Sequence, residues 1–339
     1  DCQSIGNGHV QHTAPFMGGG GGPAGWGGAI AVVPYEMYKI YGDKETFRRY
    51  LPKILRYFDY LDSRSSGGLV CREEEGGWCL GDWCPPEQIT ICEPFVNTAL
   101  YVKQMMMTKE ASEAIGESET AAMLEKRIEE KKQAILNAYY SPQTGSFIGD
   151  AQGANSFAVD IGLGGERAFN NTKKKYDAAD AFDTGIFGTD ILTRVLFERG
   201  CADTAFRLLT STGKGSFYNM KKQGATTIWE NWDGERSHSH PMFGAVTRYL
   251  FSFILGITQE KNSAGYEKIV IAPQIPDGLS RASGHITTVR GEIAVSFVRT
   301  EREMDFYVTV PQKAWFTYGS DCEYELWEGE NHIHIDFEE

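Results

Sequence analysis

Residues 29–41 read Ala-Ile-Ala-Val-Val-Pro-Tyr-Glu-Met-Tyr-Lys-Ile-Tyr, and Gly42 follows. The apolar residues recur at helical spacing and the glycine stops the run, so the stretch predicts a helix ending at Gly42. A second helix is predicted almost at once, from Lys44 to Ser63, with Phe47, Leu51, Ile54, Leu55, Phe58 and Leu61 on one face. Ile91 to Met107 is apolar nearly all round and predicts a buried helix. Ser118 to Tyr140 predicts a helix whose outer face (Glu125, Lys126, Glu129, Glu130, Lys131, Lys132) is solvated. The series continues with Asn155–Leu163, Gly188–Arg199, Ala202–Ser211 and Gly244–Gly256.

Helices recurring between polar or Gly-rich loops, with few strands, imply antiparallel helix pairs around an axis. The expectation is a mainly α fold, an (α/α)6-type toroid over residues 1–262. Loops at one end of such a toroid form its pocket. Trp26, Trp78, Trp83, Trp229 and Trp232 all lie between predicted helices.

Near Lys261 the period changes. Tyr266–Ala272, Ile286–Val289, Glu292–Arg299, Met304–Val310 and Tyr324–Trp327 alternate, separated by Pro273, Pro276-Asp277-Gly278, Arg290-Gly291 and Glu328-Gly329. This predicts a small antiparallel β-sandwich domain over 263–339 that serves as structural support.

Bulk properties narrow the function. The chain has 339 residues, 33 basic against 46 acidic, and a formal net charge of −13. Nucleic acid and anionic membrane need clustered Lys/Arg, so neither is an expected partner. No run of about 20 apolar residues exists to span a bilayer. Seven cysteines, an odd number, favour reduced thiols and a cytoplasmic location. A secreted or periplasmic location stays open, because the chain starts Asp1-Cys2-Gln3 without a Met. Cys71, Cys79, Cys84 and Cys92 cluster without a C-x-x-C pair, so no metal is expected. Gly18–Gly22 lacks the Gly-Lys-Ser/Thr ending of a phosphate loop and reads as a flexible pocket rim, so no cofactor is expected either.

The chemistry-bearing stretch is Trp229-Glu230-Asn231-Trp232-Asp233. Indole faces stack on the apolar faces of sugar rings. Carboxylates supply the acid or base that cleaves a glycosidic bond. A carboxylate flanked by indoles sits in a partly desolvated site, the setting that favours proton transfer. The same spacing also fits a β-turn with buried Trp and a capping Asp, and a Glu that only bonds a sugar hydroxyl or caps a helix.

The run belongs to a longer block, Ala225–Gly234 followed by Arg236–Val246. The block resembles the signature of the α-L-rhamnosidases, glycoside hydrolase family 78, in which a TTxWE-x-WD loop precedes a SxNH-xxFGAV helix. Pro23–Ile30 resembles that family's AGWGDA loop, Gly76–Pro85 its GDW loop, and Asp183–Thr189 its architectural TGFxGT turn. The resemblance runs in order through residue 310 or so. It implies an inverting glycosidase acting on an L-rhamnoside, with Glu230 as general base. Trp26, Asp82, Trp83 and His240 are then expected around the sugar. Trp229 and Trp232 stack on it or join the core, and Asp233 orients Glu230 or fixes the turn.

Four departures matter. Gly28 replaces the acidic residue of the AGWGDA loop, Ser239 stands in place of Asn, and the Glu230–His240 loop is short. The acid-bearing D-x-x-x-x-x-E-R-x-G-W-x-G-D segment, expected a few dozen residues before Trp26, does not occur in residues 1–25. A fragment of a larger enzyme, with a toroid incomplete at its N-terminus, is therefore expected. A non-catalytic carbohydrate-binding protein and a glycosidase for another sugar are the alternatives. A homodimer is compatible with the sequence.

Overall fold

The structure, a computed structural model, describes residues 2–14, 24–72, 80–319 and 322–337. The Gly18–Gly22 rim, Trp78 and Cys79 lie outside the described residues.

Helix α1 (Ala29–Tyr41) ends where expected, with Gly42 at φ 71° in the left-handed region that favours glycine. Asp43 then caps α2 (Lys44–Ser63), its carboxylate accepting the Thr46 N–H at 2.9 Å. The buried face of α2 is wider than the pattern suggested: Tyr57 and Tyr60 are buried, and Leu55 is only partly so. Helix α3 (Glu93–Ala114) is buried on most sides, as its composition predicts. It packs against α4 (Ser118–Tyr139), whose charges are exposed with one correction. Lys131 is buried, with Nζ 2.8 Å from Asp62 and 3.0 Å from Ser65 Oγ, so its charge is paired inside the fold rather than solvated.

Five further helices follow: α5 (Ala154–Asp160), α6 (Gly165–Asp177), α7 (Ile186–Glu198), α8 (Ala202–Leu209) and α9 (Phe217–Lys222). Sequence pattern missed α6 and α9. In α6 the buried stripe is Ala168, Phe169, Thr172 and Tyr176, and two of its four members carry hydroxyls. The predicted helix 244–256 is not a regular α-helix. It begins as a 3-10 turn, Met242–Thr247, and ends as a π-turn, Leu250–Ile254, closed by the Leu255 N–H on Leu250 O at 3.0 Å.

Two short ribbons interrupt the helices: β1 (Ser65–Ser66) with β2 (Leu69–Val70), and β3 (Tyr140–Ser141) with β4 (Ser146–Phe147). The C-terminal region has eight strands: β5 (Ile257–Gln259), β6 (Ile269–Ile271), β7 (Arg281–Thr288), β8 (Gly291–Arg299), β9 (Glu303–Val310), β10 (Ala314–Tyr318), β11 (Cys322–Leu326) and β12 (Gly329–Asp336). They form two four-stranded sheets, ordered β11-β10-β6-β5 and β12-β9-β8-β7. The expectation of a purely antiparallel domain needs correction, because β10 pairs with β6 in parallel. Strands β5, β10 and β12 were not anticipated. β12 buries only Ile333 fully, so its apolar signal is weak.

The β region does more than stand beside the helices. Ile269, Ile271, Val295, Phe297, Phe306 and Phe316 share one core with Leu192, Leu196, Phe197 and Leu208 of α7 and α8. Trp229, Trp232 and Phe243 belong to that same core. The loop that carries the candidate chemistry is thus seated on a base built from both regions.

Candidate active site

The start of α7 organises the site. Backbone N–H groups at a helix N-terminus have no intrahelical partner and attract negative charge. Asp82, from a loop a hundred residues earlier, meets that need. Its Oδ2 accepts from Gly185 N at 2.7 Å and its Oδ1 from Gly188 N at 2.9 Å. Gln152 Nε2 adds a bond of 2.9 Å to Oδ2. The approach requires glycine, since a Cβ on Gly188 would lie 2.5 Å from Asp82 Oδ2 and one on Gly185 2.2 Å from Trp83 O. Burial pushes the Asp82 carboxyl up to about 6, against the pull of these N–H donors. Expected among the sugar-binding groups, Asp82 is instead 0% exposed and engaged by α7, so a ligand does not reach it.

Gln152 reaches Asp82 from an unusual segment. Ile148 (φ 50°), Gly149 (62°), Asp150 (58°), Gln152 (48°) and Gly153 (72°) all occupy left-handed backbone. Such conformations cost of order 1–3 kcal/mol at non-glycine residues and persist only where the surroundings impose them. Here the return is position: Gln152 holds Asp82, while its Oε1 accepts from Thr90 N at 3.0 Å. Asp150 caps α5 through Asn155 N at 3.0 Å. Burial raises its carboxyl to about 6, with Lys175 opposing. Sequence reading passed over this segment, and the paired glycines were its one visible sign.

The Trp229–Asp233 loop is held by backbone pairing. Glu230 N donates to Ser237 O at 2.9 Å and His240 N donates to Ile228 O at 2.9 Å. Glu230 is half-buried, and its Oε2 accepts from Ser237 N at 3.3 Å. Trp229 is buried and stacks on the His238 ring, with centroids 4.4 Å apart. Trp232 is enclosed by Phe182, Phe217 and Phe243, the last with ring centroids 4.2 Å away. Its Nε1 donates to Thr184 O at 3.3 Å, tying the loop to the turn before α7. At 2% exposure Trp232 has no face left for a sugar, and Trp229 at 6% has little, so both are core residues rather than platforms. Asp233 fixes the turn, its Oδ1 accepting from Glu235 N at 3.1 Å.

The other loops meet Glu230 from the sides. Cys84 Sγ donates to Asn231 Oδ1 at 3.0 Å. Its thiol is pushed up to about 12 by burial and by the negative charge of Glu230, with Arg236 opposing. This places the Asp82–Cys84 loop beside Glu230. Trp83 is half-buried, its backbone carbonyl accepts from Ile186 N at 2.8 Å, and its ring carries the Arg236 guanidinium at 5.0 Å. Trp26, on the 3-10 turn Trp26–Gly28, is half-buried against Phe187 in the first turn of α7, with ring centroids 4.9 Å apart. Gly28 has no room for an acidic side chain, because a Cβ there would lie 2.1 Å from Gln104 Nε2. His240 is partly buried, and its Nδ1 has no hydrogen-bond partner among the described residues.

The sequence-predicted residues thus divide. Trp26, Trp83, Glu230 and His240 keep accessible or unsatisfied groups around the α7 start, whereas Asp82, Trp229 and Trp232 build the scaffold beneath. Arg236, Cys84, Gln152 and Phe187 also shape the site and were not anticipated. The accessible set offers aromatic faces, one carboxylate and one guanidinium, with the buried, unpaired His240 Nδ1 beside them, which suits a polyhydroxylated ring and one proton transfer.

Comparison with known proteins bears on the fold and the family. Residues 1–254 match the bacterial alpha-L-rhamnosidase 6 hairpin glycosidase domain, and residues 256–316 the bacterial alpha-L-rhamnosidase C-terminal domain. The chain is 26% identical over 314 residues to an alpha-L-rhamnosidase of Alteromonas sp. (strain LOR), covering 85% of this chain and 33% of that protein. It is 28% identical over 305 residues to an alpha-L-rhamnosidase of Streptomyces avermitilis, covering 85% and 28%. It therefore spans about a third of the length of these relatives. Among solved structures, the Streptomyces avermitilis alpha-L-rhamnosidase complexed with L-rhamnose superposes with a TM-score of 0.85 at 22% identity, covering 99% of this chain and 35% of that one. The alpha-L-rhamnosidase from Dictyoglumus thermophilum gives 0.86 at 18% identity, covering 99% and 42%. The helical toroid and the C-terminal sheets are those of one family, and the chain belongs to the bacterial alpha-L-rhamnosidases through their 6 hairpin glycosidase domain.

Proposed function

We propose that this chain forms part of an inverting glycoside hydrolase that releases terminal α-L-rhamnose, with Glu230 as its general base. The observation that carries the reading is the position of Glu230. It is half-buried, fixed by Ser237, and flanked by the loop of Trp83 and Cys84. In an inverting enzyme a carboxylate of this kind takes a proton from water as that water attacks the anomeric carbon. Trp26 and Trp83 form walls of the sugar site, His240 Nδ1 accepts a hydrogen bond from a hydroxyl, and Arg236 donates N–H groups to hydroxyl oxygens. The second carboxyl group that inversion requires, the general acid, is assigned to a part of the protein outside residues 1–339. The relatives' names and the matching family support this reading.

The test is hydrolysis of an aryl α-L-rhamnoside by the complete protein beside Glu230→Gln. Loss of at least about a hundredfold in kcat with an unchanged melting curve is expected for a missing general base. Full activity in the variant removes Glu230 from the mechanism. Rhamnose binding without turnover by the complete wild-type protein favours a carbohydrate-binding protein instead.

A further inference from the structure

Strand β12 ends in His332-Ile333-His334-Ile335-Asp336, and its burial alternates so that His332, His334 and Asp336 share the exposed face. The partner strand β9 presents Glu303, Asp305 and Tyr307 on the same face, in register opposite Asp336, His334 and His332 respectively. Two imidazoles and three carboxylates are thereby gathered on one sheet surface, away from the residues of the candidate active site.

Their geometry is ordered around His334. Its Nδ1 lies 2.9 Å from Asp305 Oδ1, and its Nε2 lies 3.2 Å from Asp336 Oδ1. Asp305 is itself steadied by His332 Nε2 at 2.7 Å, and the His332 ring stacks on Tyr307 at 4.8 Å. A neutral imidazole donates from one nitrogen only. With Nδ1–H on Asp305, Nε2 turns a lone pair toward Asp336, and Glu303 adds another anionic oxygen. Donor atoms of Glu303, His334 and Asp336 lie within 4.8 Å of one another. A proton on Nε2 satisfies the Asp336 contact, and a metal cation can take the place of that proton.

We propose that Glu303, His334 and Asp336 form a binding site for a divalent transition-metal ion of the Zn2+ class, with Asp305 as the residue that orients His334. A histidine ligand whose other ring nitrogen donates to a carboxylate is the usual arrangement in such sites. The 3.2 Å separation of His334 Nε2 and Asp336 Oδ1 is close to the ligand–ligand edge of about 3.3 Å that a tetrahedral ion with bonds near 2.0 Å requires. Water completes the coordination. Imidazole with carboxylates selects Zn2+ over the hard cation Ca2+, which prefers oxygen ligands alone. The ion links the start of β9 to the end of β12, a strand at the edge of its sheet, and so fastens the terminal strand of the fold.

The experiment uses full-length protein stripped with a chelator and titrated with ZnCl2, or with CaCl2, by calorimetry. One Zn2+ equivalent per chain is expected in the wild type and is lost in His334→Gln. Asp305→Asn keeps the ligands but weakens that equivalent 10–100-fold. All of these residues are on the surface, and circular dichroism confirms that each variant is folded. Zn2+ should also raise the melting temperature of the wild type and not that of His334→Gln. No Zn2+ uptake by the wild type, equal stoichiometry and affinity in His334→Gln, unaltered affinity in Asp305→Asn, or equal affinity for Ca2+ would each overturn the site and leave only surface ion pairs.

Discussion

The carboxylate of Asp82 lies 2.9 Å from the backbone nitrogen of Gly188, although 106 residues separate them. A side chain from one loop thus completes the first turn of a helix that begins far along the chain. Asp82→Ala leaves the N–H groups of Gly185 and Gly188 and the Gln152 amide unsatisfied in the interior. The expected cost is about 2–4 kcal/mol, with loss of the proposed hydrolysis by the complete protein because Trp83 and Thr184 lose their anchor. Denaturant unfolding measures it, and a change below about 0.5 kcal/mol would contradict the capping role.

The same residue makes a signed pH prediction. The folded Asp82 carboxyl is raised to about 6 from an ordinary value of 3.8. The folded state therefore holds the proton more tightly than the unfolded state. Its contribution is fully present below pH 4 or so and is lost as pH rises through 6, about 3 kcal/mol in all. Asp82→Asn removes this slope. The measurement is the difference in unfolding free energy between wild type and Asp82→Asn at pH 4, 5.5 and 7. A difference that does not vary with pH would show that Asp82 titrates normally.

Asp160 behaves in the opposite sense. It is 3% exposed, between Arg194 at 2.6 Å and Lys103 at 2.8 Å. Burial pushes its carboxyl up, but the two cations outweigh burial and hold it below the ordinary range. Its contribution is present above the unfolded carboxylate value and fails as pH falls through the lower folded one. Asp160→Asn leaves Lys103 without this partner and Arg194 with only Glu198 at 3.6 Å, and is expected to cost about 3 kcal/mol at neutral pH. Chemical denaturation at pH 7 checks this, and a cost under about 1 kcal/mol would mean the pair is idle.

Two glycines in neighbouring loops provide a controlled pair. Gly234 has φ 78°, and a Cβ there would lie 2.4 Å from the Trp229 ring. Gly224 has φ 96°, yet a Cβ there meets nothing within 4 Å. Gly224→Ala should cost only backbone strain, about 1 kcal/mol. Gly234→Ala should cost more and should displace the Trp229–His238 stack, visible as altered near-ultraviolet circular dichroism. Equal effects from the two substitutions would mean that the ring contact is unimportant.

The indoles also separate by role. Trp232→Ala opens a cavity among Phe182, Phe217 and Phe243 and should cost about 3–5 kcal/mol. Trp83→Ala should raise KM for an aryl rhamnoside at least several-fold with a smaller loss of stability. Melting curves and steady-state kinetics on both variants distinguish them, and a reversal of the two patterns would exchange the assignments.

Much of the helical architecture was legible because it rests on period alone. Both ends of α1 and α2 follow from apolar spacing, Gly42 and Asp43. Glu230 and His240 were legible as members of one block, and backbone pairing does bring the two ends of their loop together. What stayed hidden depends on contacts that local pattern does not encode. Asp82 and Trp232 carry the residue types of a sugar site, but their partners lie in the turn before α7, and only tertiary structure shows that those partners consume their polar groups. α6 was missed because hydroxyls occupy its buried stripe, and the left-handed residues between Ile148 and Gly153 because tertiary contacts such as Gln152 with Asp82, rather than local preference, hold them. Lys131 looked solvated because a helical wheel does not reveal Asp62.

The dependence of α7 on Asp82 has a kinetic consequence. Each helix can form from residues near in sequence, whereas the contacts that shape the pocket span 70 residues between Gln152 and Asp82 and 103 between Gly185 and Asp82. Closing loops of that length delays contact formation. Refolding should therefore regain far-ultraviolet helical signal before the near-ultraviolet signal of the Trp229–His238 loop, and a chain halted partway would be rich in helix yet have no pocket.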